Sequence, residues 1–289
     1  MNGGHERGDA IMMIHARLAA LSVMLLALAV APGGIAARTD GAPGAQEKAA
    51  PQRLPGFLGA DKVPDFRAIL PGPPAGDSPL GEMDAEVFQA MRGLEGSARW
   101  RMAQQDADLA YATELERFSC ALGARFDAAG TPALSRLLSR VMTDLGAMIG
   151  SSKDAYKRPR PFLAHAGALC LKPSDSLARS GSYPSGHAAA GWTYALVLAE
   201  IAPDRAAAIL ARGRAIGESR VVCGVHYVTD IDGGRTLATA LVAALNGTAE
   251  FRGAVTAARQ ELEALRTGGA PAPDAAACTA QREMLRQPW

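Results

Sequence analysis

The stretch SGSYPSGHAAAGW, from Ser180 to Trp192, joins a polar turn to an alanine-rich run that predicts a helix. A Pro-Ser-Gly sequence is typical of a helix start, where a serine caps the first turn. The first N–H groups of a helix lack partners within the helix, and the helix dipole adds positive charge there. The turn therefore predicts an anion site with His187 beside it. A simple capped turn that contains a histidine is the alternative, and this stretch alone does not decide between them.

The segments on both sides of this stretch have the apolar spacing of helices. Strand-like alternation is nearly absent and no internal repeat is visible, so the chain predicts one compact all-α domain. Proline marks two of the helix boundaries, at Thr131-Pro132 and at Pro203. The predicted helical segments are residues 87–109, 112–126, 131–156, 188–201, 204–217, 229–245 and 251–267.

Residues 1–37 have the pattern of a secretory signal. His15 and Arg17 precede an apolar run from Leu18 to Ala31, and small residues follow as far as Ala37. The alternative is a membrane anchor, but the run is shorter than the roughly 20 residues that span a bilayer. We therefore expect a periplasmic or secreted protein without stable membrane insertion.

Composition divides the rest of the chain into three parts. Residues 38–81 are rich in Pro, Gly and Ala and predict an extended arm over the surface of a helical domain, residues 82–267. Residues 268–289 form a linker and a short Cys-bearing tail. The net charge is only +1 and no basic tract is present, which argues against a nucleic-acid partner.

Two further clusters combine charged residues with histidine. KDAYKRPRPF, residues 153–162, gathers four cations around two prolines, although Lys and Arg also favour an ordinary helix end. In ESRVVCGVHYVTD, residues 218–230, Gly224 interrupts the helical pattern and predicts a helix that begins near His226. His226 and Asp230 would then share one helix face. A carboxylate that accepts from one ring nitrogen leaves the other with a free lone pair, although such a pair can also be a surface contact.

Taken together, the three clusters resemble the tripartite signature of the phosphatidic acid phosphatase type 2 superfamily. Within it, residues 69–245 are similar to the class A bacterial non-specific acid phosphatases, notably in the ILPGPP, FSCALGARF and GWTYALVLAEI segments. The resemblance implies hydrolysis of a broad range of phosphate monoesters to inorganic phosphate, without a cofactor, in a possible homodimer. The residues that match are Lys153, Arg160-Pro161, Pro184-Ser-Gly-His187, Ser219-Arg220, His226 and Asp230.

The resemblance also implies a role for each matched residue. His226 is the nucleophile that forms a phosphohistidine, Asp230 orients it, and His187 is the general acid. Three cations, Lys153, Arg160 and Arg220, would neutralise the phosphate. The N–H groups of Ser185 and Gly186, with the Ser185 hydroxyl, would complete the cradle. Because these groups already offset the charge of the phosphate, we expect no metal ion.

Several residues near the motifs fall outside the signature. We interpret His165 as structural, and Lys157 and Arg158 as members of structural ion pairs. Tyr227 and Thr229 differ from the side chains expected in close relatives, and they can alter the rim of the pocket.

All four cysteines lie beyond the signal, and none forms the CxxC pair of a zinc site. Four cysteines allow three connectivities. Cys170 and Cys223 flank the second and third motifs, which must converge on one phosphate. We therefore predict a Cys170–Cys223 bridge, with Cys120–Cys278 tethering the tail.

Other functions remain open from the sequence. A vanadium-dependent haloperoxidase can hold vanadate in the same cradle, and a soluble enzyme can accept a lipid phosphate. A non-catalytic phosphate-binding protein is disfavoured, because binding alone needs neither His226 as nucleophile nor His187 as acid.

Overall fold

The computed structural model describes residues 54–59, 62–108 and 115–286, and every regular element in these ranges is helical. The described residues belong to one compact unit. The predicted all-α class is therefore confirmed. The predicted secretory signal, residues 1–37, lies outside the described residues. In the described ranges, no helix has both the length and the apolar character needed to cross a membrane.

The longer helices set the frame of the domain. Single turns lie at Phe66–Ile69, Ser119–Leu122, Pro161–Ala164 and Asp175–Arg179, with a 3-10 turn at Pro203–Arg205. The longer helices are α1 (Pro79–Arg92), α2 (Ala98–Gln105), α3 (Pro132–Tyr156), α4 (Gly186–Ile201), α5 (Ala206–Val222), α6 (Val228–Asn246), α7 (Ala249–Thr267) and α8 (Ala275–Arg286).

Helix α4 lies at the centre of the bundle, in contact with α3, α5, α6 and α7. The contact with α5 is close, because a Cβ atom added at Gly213 would lie 2.3 Å from the Cβ of Ala195. Only glycine permits this approach. The close packing fixes α4 and α5 relative to each other, and these helices carry the PSGH turn and the Ser219-Arg220 pair.

In the described part of the predicted N-terminal arm, a helical turn at Phe66–Ile69 is followed by an irregular segment that lies against the end of α3 and the loop before α4. The Tyr156 hydroxyl donates to the Leu70 carbonyl at 2.8 Å, and the Tyr183 hydroxyl donates to the Pro71 carbonyl at 3.0 Å. Because Tyr183 directly precedes Pro184, the arm supports the loop that leads into the PSGH turn.

Two helices extend beyond the limits that the sequence predicted. Helix α1 begins at Pro79, well before the predicted segment that starts at residue 87, because Ser78 caps it before its apolar spacing begins. Helix α5 continues past its predicted end at Gly217. A Cβ atom there would lie 2.9 Å from Ile231, so this glycine serves close packing and does not end the helix.

Three other segments also differ from the prediction. The predicted helix of residues 87–109 is divided by a turn that includes Gly96 at φ 74°. In the described part of residues 112–126, helical structure ends at Leu122, where Gly123 adopts φ 79°. The Cys-bearing tail, for which no helix was predicted, contains α8, where Asp274 accepts a hydrogen bond from the Ala277 N–H at 2.6 Å.

Both predicted disulfides are present. Cys170–Cys223 joins the segment before the PSGH turn to the end of α5, with Cα atoms 4.6 Å apart. Cys120–Cys278 joins α8 to the turn at Ser119–Leu122, across 158 residues of sequence. The two bridges therefore hold different parts of the chain, and only the first lies between motif segments.

Removing the Cys120–Cys278 bridge should lower stability and leave catalysis intact. A Cys120→Ser/Cys278→Ser variant loses a cross-link that closes a long loop. In the chain-entropy model, such a cross-link stabilises the folded state by at most about 5 kcal/mol. We expect a lower urea midpoint of unfolding and an unchanged kcat at 25 °C, because α8 holds no motif residue. The matched Cys170→Ser/Cys223→Ser variant should have both a lower urea midpoint and a lower kcat. Equal kinetic losses in the two variants would contradict this division.

Candidate active site

The PSGH turn forms the start of α4 as predicted. Ser185 is the N-cap, and its Oγ accepts a hydrogen bond from the Ala188 N–H at 3.3 Å. Gly186 and His187 are the first helical residues, so their N–H groups have no acceptor within the helix. The prediction that the Ser185 N–H binds an anion is wrong, because it donates to the Asp230 carbonyl at 2.9 Å. The free N–H groups at this turn are those of Gly186 and His187.

The His226–Asp230 pair forms, but not by the predicted geometry. Helix α6 begins at Val228 with Tyr227 as N-cap, so His226 lies before the helix. Asp230 is in the first turn and folds back over the helix start. Its Oδ2 accepts from the Tyr227 N–H at 2.9 Å and lies 3.2 Å from His226 Nδ1. A capping carboxylate, rather than a shared helix face, therefore brings the pair together.

Asp230 is fully buried and ionised. Besides His226 and Tyr227, its carboxylate accepts hydrogen bonds from the Ser182 hydroxyl and from Arg158 Nη1, at 2.5 and 2.7 Å. Burial alone would raise the pKa of Asp230. The hydrogen bond to His226 and the positive charge of Arg158 lower that pKa to about 2. Asp230 thus remains an acceptor throughout the acidic pH range.

This acceptor fixes the tautomer of His226. With Nδ1–H donating to Asp230, the lone pair lies on Nε2, which is 3.0 Å from Arg160 Nη1. The ring is 2% exposed, and burial holds the pKa of His226 well below its ordinary value despite the contact with Asp230. The imidazole is therefore neutral, with its nucleophilic nitrogen directed at a cation.

Three cations lie in this region without an acidic partner among the described residues: Arg160 and Arg220, which are buried, and Lys153, which is half-buried. Lys153 Nζ donates to the Gly181 and Ser182 carbonyls, and Arg160 also donates to carbonyls. Arg220 is 2% exposed, and its Nε and Nη1 have no hydrogen-bond partner in the described part of the chain. A buried guanidinium without partners is costly, and an anion supplies what it lacks.

Burial lowers the pKa of each of these cations, and the charge of Arg160 lowers the pKa of the other two further. The pKa of Lys153 falls to about 8, first through burial and then through the charge of Arg160. Burial, followed by the charge of Arg160, lowers the pKa of Arg220 to about 10. Arg160 itself falls to a pKa of about 10 through burial. A bound anion would relieve all three shifts.

His187 lies at the edge of the same cluster. Its Nε2 is 2.9 Å from the Ala107 carbonyl, so Nε2 is the protonated nitrogen. Burial, and then the positive charge of Arg220, lowers the pKa of His187 to about 3. His187 is therefore neutral in the ligand-free protein at any pH above this value.

Of the residues outside the signature, His165 and Lys157 lie away from the reacting groups, whereas Arg158 contacts the site. His165 packs between aromatic rings, 5.4 Å from Phe88 and 6.0 Å from Tyr227, which agrees with a structural role. Lys157 is the C-cap of α3. Arg158 forms ion pairs as predicted, but one of them is with Asp230, inside the site.

Sequence reasoning missed two residues that contact these groups. Ser182 lies 3.3 Å from His226 Nδ1 and donates to Asp230. Asp84 on α1 pairs with Arg158. Neither residue belongs to a periodic pattern or to a motif. The one sequence signal was the position of Ser182, three residues before Ser185 of the PSGH turn.

Residues 133–253 match the PAP2 superfamily model. The chain is also 43% identical over 210 residues to an acid phosphatase of Zymomonas mobilis, covering 72% of this chain and 79% of that relative. The chain belongs to the PAP2 superfamily. Non-specific acid phosphatases of Providencia stuartii and Salmonella typhimurium are 38% and 37% identical to it, over 73% and 71% of this chain and 86% and 83% of theirs. Within the PAP2 superfamily, the chain is thus an acid phosphatase, as its motifs predicted.

The donor set of the PAP2 site is cationic rather than acidic. Among the residues that the structure describes, no group of three or more His, Cys, Asp or Glu side chains is arranged to hold a metal ion. Metal independence stays a prediction, which is tested below.

Lys153 should set a basic limit on substrate binding. Its pKa of about 8 means that rising pH removes its proton, and with it one positive charge of the cradle. We expect kcat/KM to fall above pH 8 by up to about tenfold per pH unit, where the phosphate ester no longer titrates. In Lys153→Arg the decline should begin at higher pH.

Lys157→Arg is the matched control, because the same exchange is made four residues away at the helix C-cap. Initial rates between pH 6 and 10 give both profiles. A decline that starts at the same pH in Lys153→Arg and in the parent protein would contradict the assignment.

Proposed function

We propose that the chain hydrolyses phosphate monoesters through a phosphohistidine formed on Nε2 of His226. The observation that supports this best is the set of three cations, two of them buried and one half-buried, near a neutral imidazole. A phosphoryl group has its charge spread over three oxygens, and Lys153, Arg160 and Arg220 can match that charge. The free N–H groups of Gly186 and His187 add a further anion-binding element at the end of α4.

In the first step, the Nε2 lone pair of His226 attacks phosphorus and the bond to the ester oxygen breaks. The leaving alcohol takes a proton from His187. Asp230 accepts from Nδ1–H throughout, which stabilises the positive charge that develops on the ring. In the second step, water attacks the phosphohistidine, His187 takes the proton of the water, and inorganic phosphate leaves.

His187 is neutral in the ligand-free protein, so it must gain a proton when the substrate binds, before the first step. In the ligand-free protein the positive charge of Arg220 helps to lower the pKa of His187 to about 3. A phosphate dianion between them opposes that charge and raises this pKa. The general acid is thus available when the substrate is bound, in an acidic medium that supplies the proton.

The cellular setting belongs to the same proposal. The signal-like N-terminus indicates export to the periplasm or the exterior, and disulfides persist in such oxidising compartments. The cradle recognises the phosphate group, whereas no residue group described above recognises a particular alcohol. This supports a broad range of monoesters as substrates.

Replacing His226 and replacing His187 should reduce activity in different ways. Without His226 there is no phosphoryl acceptor, so His226→Ala should lose turnover of every ester. His187→Ala lacks the proton donor, so its loss should be larger for an alkyl phosphate than for p-nitrophenyl phosphate, whose leaving group needs little protonation. His165→Gln, which removes a histidine outside the site, serves as the control and should keep its activity.

Quenching in alkaline SDS after mixing with ³²P-labelled substrate preserves a phosphohistidine, whose P–N bond is stable in alkali and labile in acid. We expect acid-labile label on the parent protein and on His187→Ala, and none on His226→Ala. Label on His226→Ala with none on His187→Ala would show that the two roles are reversed.

Activity should not depend on a divalent metal ion. The cationic side chains already offset the phosphate charge, so dialysis against EDTA should leave kcat unchanged. Vanadate should inhibit competitively, because its five-coordinate form resembles the transferring phosphoryl group. Loss of activity on chelation, restored by one added divalent ion, would contradict metal independence.

A peroxidase assay on the vanadate-loaded protein separates this function from haloperoxidase activity. We expect phosphatase turnover of the vanadate-free protein and no halide oxidation above background.

A further inference from the structure

The mechanism above leaves one buried carboxylate near the site without a role. Asp84 on α1 is 1% exposed, and α1 lies outside all three sequence motifs. Its Oδ1 accepts from the Thr229 N–H at 3.0 Å, and its Oδ2 accepts from the Thr229 hydroxyl and from Arg158 Nη2, the latter at 2.8 Å. Asp84 is thus an anion at the first turn of α6, the helix that carries Asp230.

Arg158 joins this carboxylate to the site. One terminal nitrogen, Nη2, donates to Asp84, and the other, Nη1, donates to Asp230 Oδ1 at 2.7 Å and to the Thr229 hydroxyl at 2.8 Å. The guanidinium also lies over the ring of Tyr227, 4.2 Å from its centre. The planar guanidinium of arginine can donate hydrogen bonds to two carboxylates at once, and the single ammonium group of a lysine does this less well.

The two oxygens of Asp230 have different partners. Oδ2 lies against His226, Ser182 and the Tyr227 N–H. Oδ1 receives its side-chain hydrogen bond from Arg158. The contacts at Oδ2 still allow Oδ1 of Asp230 to rotate. The hydrogen bond from Arg158 therefore restrains Oδ1.

We propose that Asp84 and Arg158 are positioning residues that hold Asp230 in the orientation from which it directs Nε2 of His226 at the phosphate. This inference rests on the proposed phosphohistidine mechanism and adds two residues to it. The order of contacts is Asp84, Arg158, Asp230, His226. Asp84 anchors the guanidinium at the end away from the imidazole, so the cation stays with Asp230 and does not move toward the phosphate.

Three variants test the proposal. Arg158→Lys keeps the charge and removes the fork, Arg158→Gln removes both, and Asp84→Asn keeps the shape and removes the anchoring charge. Asp144→Asn is the matched control, because Asp144 on α3 is also buried and also accepts a backbone N–H from a distant segment, that of Phe57 at 2.8 Å. Asp144 has no contact with the motif residues named above.

The steady-state constants for p-nitrophenyl phosphate form the first readout. Partners of a site residue that do not touch substrate typically contribute about 10- to 100-fold. We expect kcat to fall by at least tenfold in Arg158→Lys, Arg158→Gln and Asp84→Asn, with KM within about threefold of the parent value because the cradle is intact. Asp144→Asn should lower the thermal midpoint and keep kcat.

The second readout is the ratio of variant to parent kcat at each pH, in which titration of the substrate cancels. Arg158→Gln removes a cation that lowers the pKa of Asp230, so this pKa rises and the ratio should fall further as pH falls. Arg158→Lys keeps a positive charge, and its ratio should be low but constant with pH. A residue with only a structural role would not move this profile.

A double-mutant cycle tests whether the two residues act as one unit. If Asp84 acts through Arg158, Asp84→Asn/Arg158→Lys should lose no more activity than the worse single variant. If Asp84→Asn does not fold, the two Arg158 variants alone decide the question through kcat, KM and the pH ratio.

Two failures are distinguishable. An unlabelled parent protein after quenching in alkaline SDS would refute the phosphohistidine and leave the kcat values to be judged separately. A labelled parent protein whose Arg158 variants keep kcat within threefold, or raise KM in proportion, would overturn the positioning role alone.

Discussion

The carboxylate of Asp230 is buried, and its two oxygens accept hydrogen bonds from three separate parts of the chain. Arg158 reaches it from the loop after α3, Ser182 from the loop before α4, and His226 with Tyr227 from the start of α6. A buried carboxylate that lost these donors would be strongly destabilising. The helices must therefore pack so that all three segments meet at this one group, and the orientation of the His226 ring follows from that packing.

Two kinds of buried arginine on α5 show how the fold separates stability from chemistry. Arg212 binds both oxygens of the buried Asp106, which also accepts from the Ser219 hydroxyl. Arg220 lies two turns further along the same helix, with Nε and Nη1 unsatisfied among the described residues. The first arginine completes its interactions within the protein. In the proposed mechanism, the packing of α5 holds the second arginine in place for the phosphate of the substrate.

The sequence predicted the helical class, both disulfides and the clusters that the structure brings together, because each depends on local spacing or on a motif with fixed residue types. It predicted the His226–Asp230 contact for the wrong reason, since a four-residue interval is shared by a helix face and by a capping carboxylate. The limits of α1 and α5 were missed because Ser78 and Gly217 act through capping and packing rather than periodicity. Asp84 and Ser182 were missed because each is a single polar residue whose partners are set by tertiary structure.

The Cys170–Cys223 bridge has a consequence for the unfolded chain. It joins two positions 53 residues apart and so closes a ring that contains both His187 and Arg220, and His226 follows the ring by three positions. Within such a ring, segments meet at a higher effective concentration than in an open chain, because the entropy of loop closure is already lost. For a chain exported as proposed above, unfolding outside the cell would thus leave the PSGH turn and Arg220 close enough to come into contact again. The covalent link preserves part of the active-site topology even when the helices have melted.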